Sequence, residues 1–431
     1  MGFDDQHAGQ LTASQNAYGL LHKMNFDCLI ITRQERLVAE ASIHSSLHRI
    51  PRPILRGAVN FPVMLAPMVG LSHVALRSIV REYLPKGAIV PWPTEMLNSR
   101  RLPSENFSLV PEVLRSPLET HLVPQILGNE EEPIRLSVER LEREWGASGI
   151  DINMGCPVKK ALSHNYGVSL MGDSAYAAEV VRMTVRSTSL PVSVKLRAGS
   201  KLPVPRKPDS RVPAVLAQLE PTLREEVDGL EFLLKFAGGL VDAGAESLTL
   251  HPRTAEQKRR GFADWDQIRI LRESVSCAVI GNGDVQTADD VFRMLDETKC
   301  DAVMVGRALT ARPWMLWQVG RRLGWPDPEG REGEDPPLTA EEEGREFGRV
   351  AVKLIDRLAE FHPPLEKANW TDELLVRKTR FFLKNASPWL LFGHDLEARV
   401  SKAKTLAEAR AGVVKFFAAT HELSRRTELR Y

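Results

Sequence analysis

Cysteine is scarce and dispersed: Cys28, Cys156, Cys277 and Cys300 stand alone along 431 residues. No pair has the spacing of a zinc site or a redox dithiol, and the density is far below that of a secreted disulfide scaffold. No metal is therefore expected, and a reducing, cytoplasmic setting fits. An excess of charge of one sign is missing too. Lys plus Arg number 57 against 56 Asp plus Glu, a net +1, so no global field draws the chain to nucleic acid or membrane. A polyanion would have to be met by a local patch. Charge, Gly or Pro interrupts every apolar run before the ~18 residues that a membrane span requires, so no span is expected. The opening, MGFDDQHAGQ, is acidic before it is apolar, the wrong order for a secretory signal. With 43% apolar and 26% charged residues, collagen-like and disordered classes drop out and an ordinary globular composition remains. At ~150 residues per domain the length permits about three units, or one large α/β barrel plus something smaller.

What is present divides the chain. Residues 1–58 show no sustained period of 2 or 3.6 and end in the Pro-marked stretch RIPRPILRG, so they read as an N-terminal extension. Residues 325–343, WPDPEGREGEDPPLTAEEE, hold eight acidic residues, one Arg, four prolines and two glycines, and read as a linker. The tail, 344–431, carries 17 Lys or Arg against 11 Asp or Glu, a net +6, so charge is segregated although the sum hides it.

Between 59 and 324, eight short apolar runs recur: VMLAPM, GAIVPWPTE, HLVPQIL, GIDINMG, PVSVKLR, SLTLH, AVIGNGD and AVMVGR. Most intervals carry amphipathic helical patterns. Continuous apolar strands alternating with helices argue for a parallel sheet covered on its outer side. Eight such units in ~260 residues have the size and count of a (β/α)8 TIM barrel. A doubly wound open sheet is the rival, but it usually has fewer strands and often a GxGxxG turn, which VMLAPMVG is not. A segment with five prolines, 201–228, interrupts the fifth unit between strand and helix, a place on a barrel's catalytic face.

Each run finishes in polar residues or glycine. Pro67 and Met68 close the first, Glu95 the second, Gln125 the third, and Asn153 with Cys156 the fourth. Lys195 and Arg197 close the fifth, His251 and Arg253 the sixth, Asn282, Gly283 and Asp284 the seventh, and Gly306 and Arg307 the eighth. Parallel strands end on one face, so these residues converge on one mouth. Taken singly, a Lys or Gln at a strand end is most often a solvated loop residue; eight placements together are harder to dismiss. The loops after strands seven and eight commonly hold a phosphate, and GNGD and VGRALT supply the glycines while Arg307 supplies a bidentate cation. Lys195 and His251 then face the polar edge of a ring, so a phosphate-bearing, ring-shaped cofactor is the economical reading. Cys156, in NMGCP, has no base adjacent in sequence. A thiol with an ordinary pKa of about 8.5 stays protonated at neutral pH and can act as a general acid.

These stretches resemble the tRNA-dihydrouridine synthases, flavin enzymes that reduce uridine in tRNA. The resemblance runs over roughly 60–320 and is carried by LAPMVGLSHVALR, PTEML, VPQILG, DINMGCPVKKALSHNYGVSLM, VSVKLRAG, LHPRTAEQKRRGFADWDQI, IGNGDV and DAVMVGRALTARPWM. It implies FMN as cofactor, lined by the backbones of Pro67, Met68 and Val69, with Gln125, Lys195 and His251 on the ring or ribityl chain. Asn282, Gly283, Asp284, Gly306 and Arg307 would hold the phosphate, Asn153 would touch flavin and flipped base, and Cys156 would be the proton donor. NADPH or NADH would be the reductant and tRNA the partner of a monomer. It further implies that the TIM barrel is followed by a C-terminal α-helical domain binding tRNA, with Arg377, Lys378, Arg380 and Lys384 on its basic helix. The chain departs from the pattern in reading His251-Pro252-Arg253 at strand six and NYGVSL at the Gly-rich turn. Two rivals stay open: an FMN barrel that reduces a free pyrimidine or enone, and a non-enzymatic RNA-binding protein on a decayed barrel.

Overall fold

Apolar runs without alternation suit strands buried on both faces. The computed structural model describes residues 50–158, 161, 163–198, 229–257, 260–362 and 370–428, so the extension up to residue 49 and the 201–228 insertion lie outside the described residues. Eight strands form where the runs are: β1 (Val63–Leu65), β2 (Trp92–Asn98), β3 (Leu122–Leu127), β4 (Ile150–Met154), β5 (Val192–Arg197), β6 (Ser247–His251), β7 (Ala278–Asn282) and β8 (Ala302–Val305). Their order is β1-β8-β7-β6-β5-β4-β3-β2, every pair parallel. The protein is a TIM barrel with a helical C-terminal region. At the seam between β1 and β2 side chains take over from the ladder: the Ser72 hydroxyl lies 3.0 Å from Met68 O and 3.2 Å from Thr94 O, and the Gly70 N–H donates to the Glu95 carboxylate at 2.9 Å.

Helices α1 (Val74–Arg81), α2 (Glu131–Arg140), α3 (Ser174–Arg186), α4 (Gly229–Asp242), α5 (Trp265–Ser274), α6 (Ala288–Thr298), α7 (Arg307–Ala311) and α8 (Met315–Arg322) cover the sheet. Side-chain caps mark where several begin. Asp173 accepts from Tyr176 N–H, Asp264 from Asp266 N–H, and Thr287 forms a capping box with Asp290. Between β2 and β3 the described residues hold only a 3-10 turn at Leu102–Ser104, with no α-helix. At the opposite end of the barrel, the Arg52 guanidinium donates to Val275 O at 2.5 Å and Cys277 O at 2.7 Å, and its N–H reaches the Asp301 carboxylate. The last part of the extension is thus fastened to the lower end of the barrel through Arg52.

The C-terminal region contains α9 (Ala340–Phe361), α10 (Asp372–Ala386), α11 (Gly393–Ser401) and α12 (Leu406–Phe416). Helix α9 starts inside the acidic stretch, where Thr339 and Glu342 form a capping box. The stretch is seated on the barrel through its own carboxylates. Arg312 donates to Glu343 at 3.0 Å, the Trp314 indole N–H to the same carboxylate at 2.9 Å, and Arg321 to Asp327 at 2.5 Å. Two arginines of the barrel side, Arg312 and Arg321, thus take carboxylates of the stretch, while its own arginine, Arg331, pairs with Glu346 of α9. Among the described residues no helix is long and apolar enough to cross a membrane.

Candidate active site

Alternation along β4 puts Asp151 and Asn153 on the same face, pointing inward, and β3 sets Gln125 opposite Asp151 in register. A chain of hydrogen bonds follows. The Ser193 hydroxyl donates to Asp151 Oδ1 at 2.7 Å and Gln125 Nε2 to Oδ2 at 2.5 Å. Asn153 Nδ2 donates to Gln125 Oε1 at 2.7 Å, and Asn153 Oδ1 accepts the N–H groups of Gly155 at 3.1 Å and Cys156 at 2.9 Å. Beside this chain Lys195 Nζ donates to Asn282 Oδ1 at 3.1 Å, and Asn282 Nδ2 to Met304 O at 2.8 Å. Gln125, Asn153, Lys195 and Asn282, placed at strand ends by sequence alone, therefore converge at one mouth.

Burial sets the charges there. It pulls the Lys195 ammonium down to about 8, with Arg197 acting in the same direction and Asp151 opposing. It pushes the Asp151 carboxyl up to about 6, against the hydrogen bonds from Ser193 and Gln125 and the charge of Lys195. Burial, then the cations Lys195, Arg197, Arg253 and Arg307, hold His251 well below its ordinary value, so the ring is neutral. Arg253 can only donate, and it meets His251 Nε2 at 3.2 Å, which leaves the proton on Nδ1. Burial raises the Cys156 thiol, with weaker opposition from a backbone N–H, Arg197 and Lys195. The thiol is protonated at neutral pH and suited to giving up a proton, not to attacking as a thiolate.

Gly167 lets the chain pass close over Cys156. A Cβ there would lie 2.6 Å from Cys156 O, and its φ of +60° favours glycine. Arg197 fastens the same loop through Gly155 O at 2.8 Å. Cys156 packs with Leu127, Ala161, Tyr166 and Met96. Beside it opens a cleft of about 280 Å³ lined by Val69, Met96, His164 and Tyr166 among others, large enough for a pyrimidine base.

At the β7 and β8 ends, Gly283 has φ +122°, and a Cβ on it would lie 2.9 Å from Ala263 Cβ and 3.0 Å from the His251 ring. Gly306 precedes α7, against Met68. Arg307 opens that helix. Asp284 differs from expectation: its carboxylate takes the Arg253 guanidinium at 2.7 Å and Ala263 N–H at 2.6 Å. A carboxylate would repel a phosphate, so its contribution is to pin the loop and Arg253. Pro67, Met68 and Val69 form the turn after β1, with Met68 N–H held by Ser72 Oγ at 2.9 Å and Val69 exposed. A tight glycine cradle, two cations and a set of amide donors are chemistry that fits a flavin mononucleotide.

The model of the dihydrouridine synthase (Dus) family matches residues 64–205 and 221–330, more than half of the chain. The chain belongs to that family. Dus enzymes are flavin-dependent oxidoreductases. The chain is 33% identical over 257 residues to the probable tRNA-dihydrouridine synthase of Rhizobium leguminosarum bv. phaseoli, covering 60% of this chain and 71% of the relative. It is 31% identical to that of Rickettsia conorii, covering 61% and 70%, and 29% identical to tRNA-dihydrouridine synthase B of Pseudomonas aeruginosa, covering 70% and 77%.

In this Dus chain, sequence reasoning overlooked Asp151, Met96, His164 and Tyr166. The period of two from Asn153 would have found Asp151; Met96 lies within β2, next to Glu95, and His164 and Tyr166 lie outside the strands. The expected RNA-facing cations separate into two groups. Arg377 and Lys384 are exposed on α10. Arg380, exposed as well, donates to Ala403 O at 2.6 Å and Val400 O at 3.3 Å, beside the end of α11. Lys378 turns toward the barrel and Glu95.

Proposed function

We propose that this protein reduces a uridine base of tRNA to 5,6-dihydrouridine at the barrel mouth, with Cys156 as the general acid. FMN, when bound, supplies hydride for C6 of the uracil and takes its own electrons from NADPH or NADH. Gln125 and Lys195 meet its ring, as does the Nδ1–H of neutral His251, while Arg307 and the backbone around Gly283 and Gly306 hold its phosphate. Asn153 orients the base, and Cys156 delivers a proton to C5. The observation that carries this reading is the buried Cys156 thiol, its loop fastened by Arg197 and packed against Leu127, Ala161, Tyr166 and Met96, which line a cleft of base size. A base stacked in RNA must swing out to reach it, which is least costly where a loop has already unstacked it. The tail, net +6, supplies the phosphate contacts that a near-neutral chain otherwise lacks, with Arg377 and Lys384 among the exposed cations of α10.

The test is anaerobic mixing of the reduced flavoprotein with tRNA from cells lacking dihydrouridine. Flavin reoxidation with a gain of two hydrogens at one uridine is the expected result. Reoxidation by free uridine or an enone at the same rate would overturn it.

A further inference from the structure

A primary amide has a donor end and an acceptor end of nearly the same shape, so nothing in the shape of Gln125 or Asn153 decides which end faces which neighbour. Here both termini of the chain are chemically one-sided. An ionised carboxylate accepts only, and the N–H groups of Gly155 and Cys156 donate only. Asp151 requires the Gln125 amino group against it, at 2.5 Å; the Gln125 carbonyl then faces Asn153 and requires its amino group, at 2.7 Å. The Asn153 carbonyl is left for Cys156 N–H at 2.9 Å. The Ser193 hydroxyl occupies the second oxygen of Asp151 at 2.7 Å and holds the carboxylate plane. The two amides and the carboxylate are buried, with Gln125 1% exposed, Asn153 7% and Asp151 8%, so water does not compete for these ends.

We propose that Asp151 is a positioning residue that sets the direction of the Gln125 and Asn153 amides and, through them, the attitude of the Cys156 loop. It acts through the Gln125 and Asn153 amides, to which it is linked directly and at one remove. The turnover arm of the test rests on the function proposed above, whereas the alkylation arm does not.

Three variants separate orientation from packing. Asp151→Asn keeps an acceptor for Gln125 and can give its amino group to the Ser193 oxygen. Asp151→Ala removes the acceptor, and Asp151→Leu removes it while filling the volume, which keeps the test open if the Ala variant folds poorly. On folded protein, the rate at which iodoacetamide alkylates Cys156 is measured together with the thermal midpoint; then kcat and KM for tRNA are measured. In Ala and Leu the alkylation rate should change about tenfold or more and kcat should fall about 10- to 100-fold, the range expected for a misplaced reacting group, with KM for tRNA within about twofold. Asp151→Asn should recover most of both. Ala or Leu variants that fold and keep the wild-type alkylation rate overturn the proposal, whatever the turnover. An Asn variant as impaired as Leu overturns it as well, because charge and not direction would then be what matters. If alkylation responds as expected and tRNA is not a substrate, the relay stands and the functional reading fails.

Discussion

Lys378 Nζ stands 3.9 Å from Glu95 Oε1, so a cation on α10 faces a carboxylate in the middle of β2. Glu95 is 3% exposed, Oε2 takes the Gly70 N–H, and Oε1 has no hydrogen-bond partner among the described residues. Burial pushes this carboxyl up; Lys378 opposes it. Phe381, one helical turn on, closes over Gly70, where a Cβ would come within 2.7 Å of the ring. The two contacts seat α10 against the loop after β1, at the rim of the mouth.

Lys378→Met should therefore act on stability and not on phosphate contacts. Leaving Glu95 buried without its cation should cost about 1 to 3 kcal/mol in urea denaturation. The slope of log affinity for tRNA against log salt should stay at its wild-type value. Arg377→Ala and Lys384→Ala should do the reverse, each lowering that slope by about 1 with stability within about 0.5 kcal/mol. A reduced salt slope in Lys378→Met would return Lys378 to the RNA.

Gly283→Ala asks whether the β7 turn is a cradle. The left-handed φ of +122° and the approach to Ala263 and the His251 ring leave no room for a methyl group. Strain of about 1 to 3 kcal/mol is expected, with displacement of His251. Flavin retained after gel filtration should drop below wild type, as it should in Arg307→Ala, where loss of a charge-assisted contact typically weakens affinity about ten- to a hundredfold. Full flavin occupancy in both variants would take the phosphate away from this end of the barrel.

The barrel is legible in the sequence because strands buried on both faces write unbroken apolar runs, and the mouth is legible because parallel strands put their polar ends together. Partnerships across the fold are not. Nothing near Asp284 shows that Arg253, 31 residues earlier, takes its carboxylate. Along α10, spacings of 3 and 4 join Arg377, Arg380 and Lys384, with Lys378 off to one side. Spacing alone does not say that this side meets Glu95, or that Arg380 also donates to the carbonyls of Val400 and Ala403. The acidic stretch misleads for the same reason: its arginine partners lie mostly outside its own segment.

Stability should carry the titration of Asp151. Its carboxyl is raised from 3.8 to about 6, so the folded state binds the proton more tightly than the unfolded chain. The cost of burying the charge is present in full above about pH 6 and is relieved as pH falls toward 3.8, an amount of about 3 kcal/mol. Lys195, at about 8, keeps its charge throughout this window. Asp151→Asn lacks the titration. Unfolding free energies at pH 7 and pH 4.5 should show the wild type gaining on this variant at the lower pH. A constant difference between the two would mean that Asp151 ionises normally in the fold.

Cys156→Ala should purify yellow, accept electrons from a nicotinamide and fail on tRNA. Flavin reduction draws on ring and phosphate contacts that the substitution leaves alone. Uracil reduction needs a proton at C5 in addition to hydride at C6, and a positioned general acid typically contributes about 10²- to 10⁴-fold. The second half-reaction alone should slow by that factor. Burial raises the thiol pKa, so wild-type reoxidation by tRNA should hold its rate across neutral pH and fall only as the medium becomes alkaline enough to ionise Cys156. The Ala variant should lack that alkaline limb. A thiol that merely fills space beside Leu127, Ala161 and Tyr166 predicts lower stability with normal turnover per folded molecule. Stopped-flow reoxidation of reduced Cys156→Ala by tRNA decides between them; a wild-type rate would mean that the proton comes from another group at the mouth.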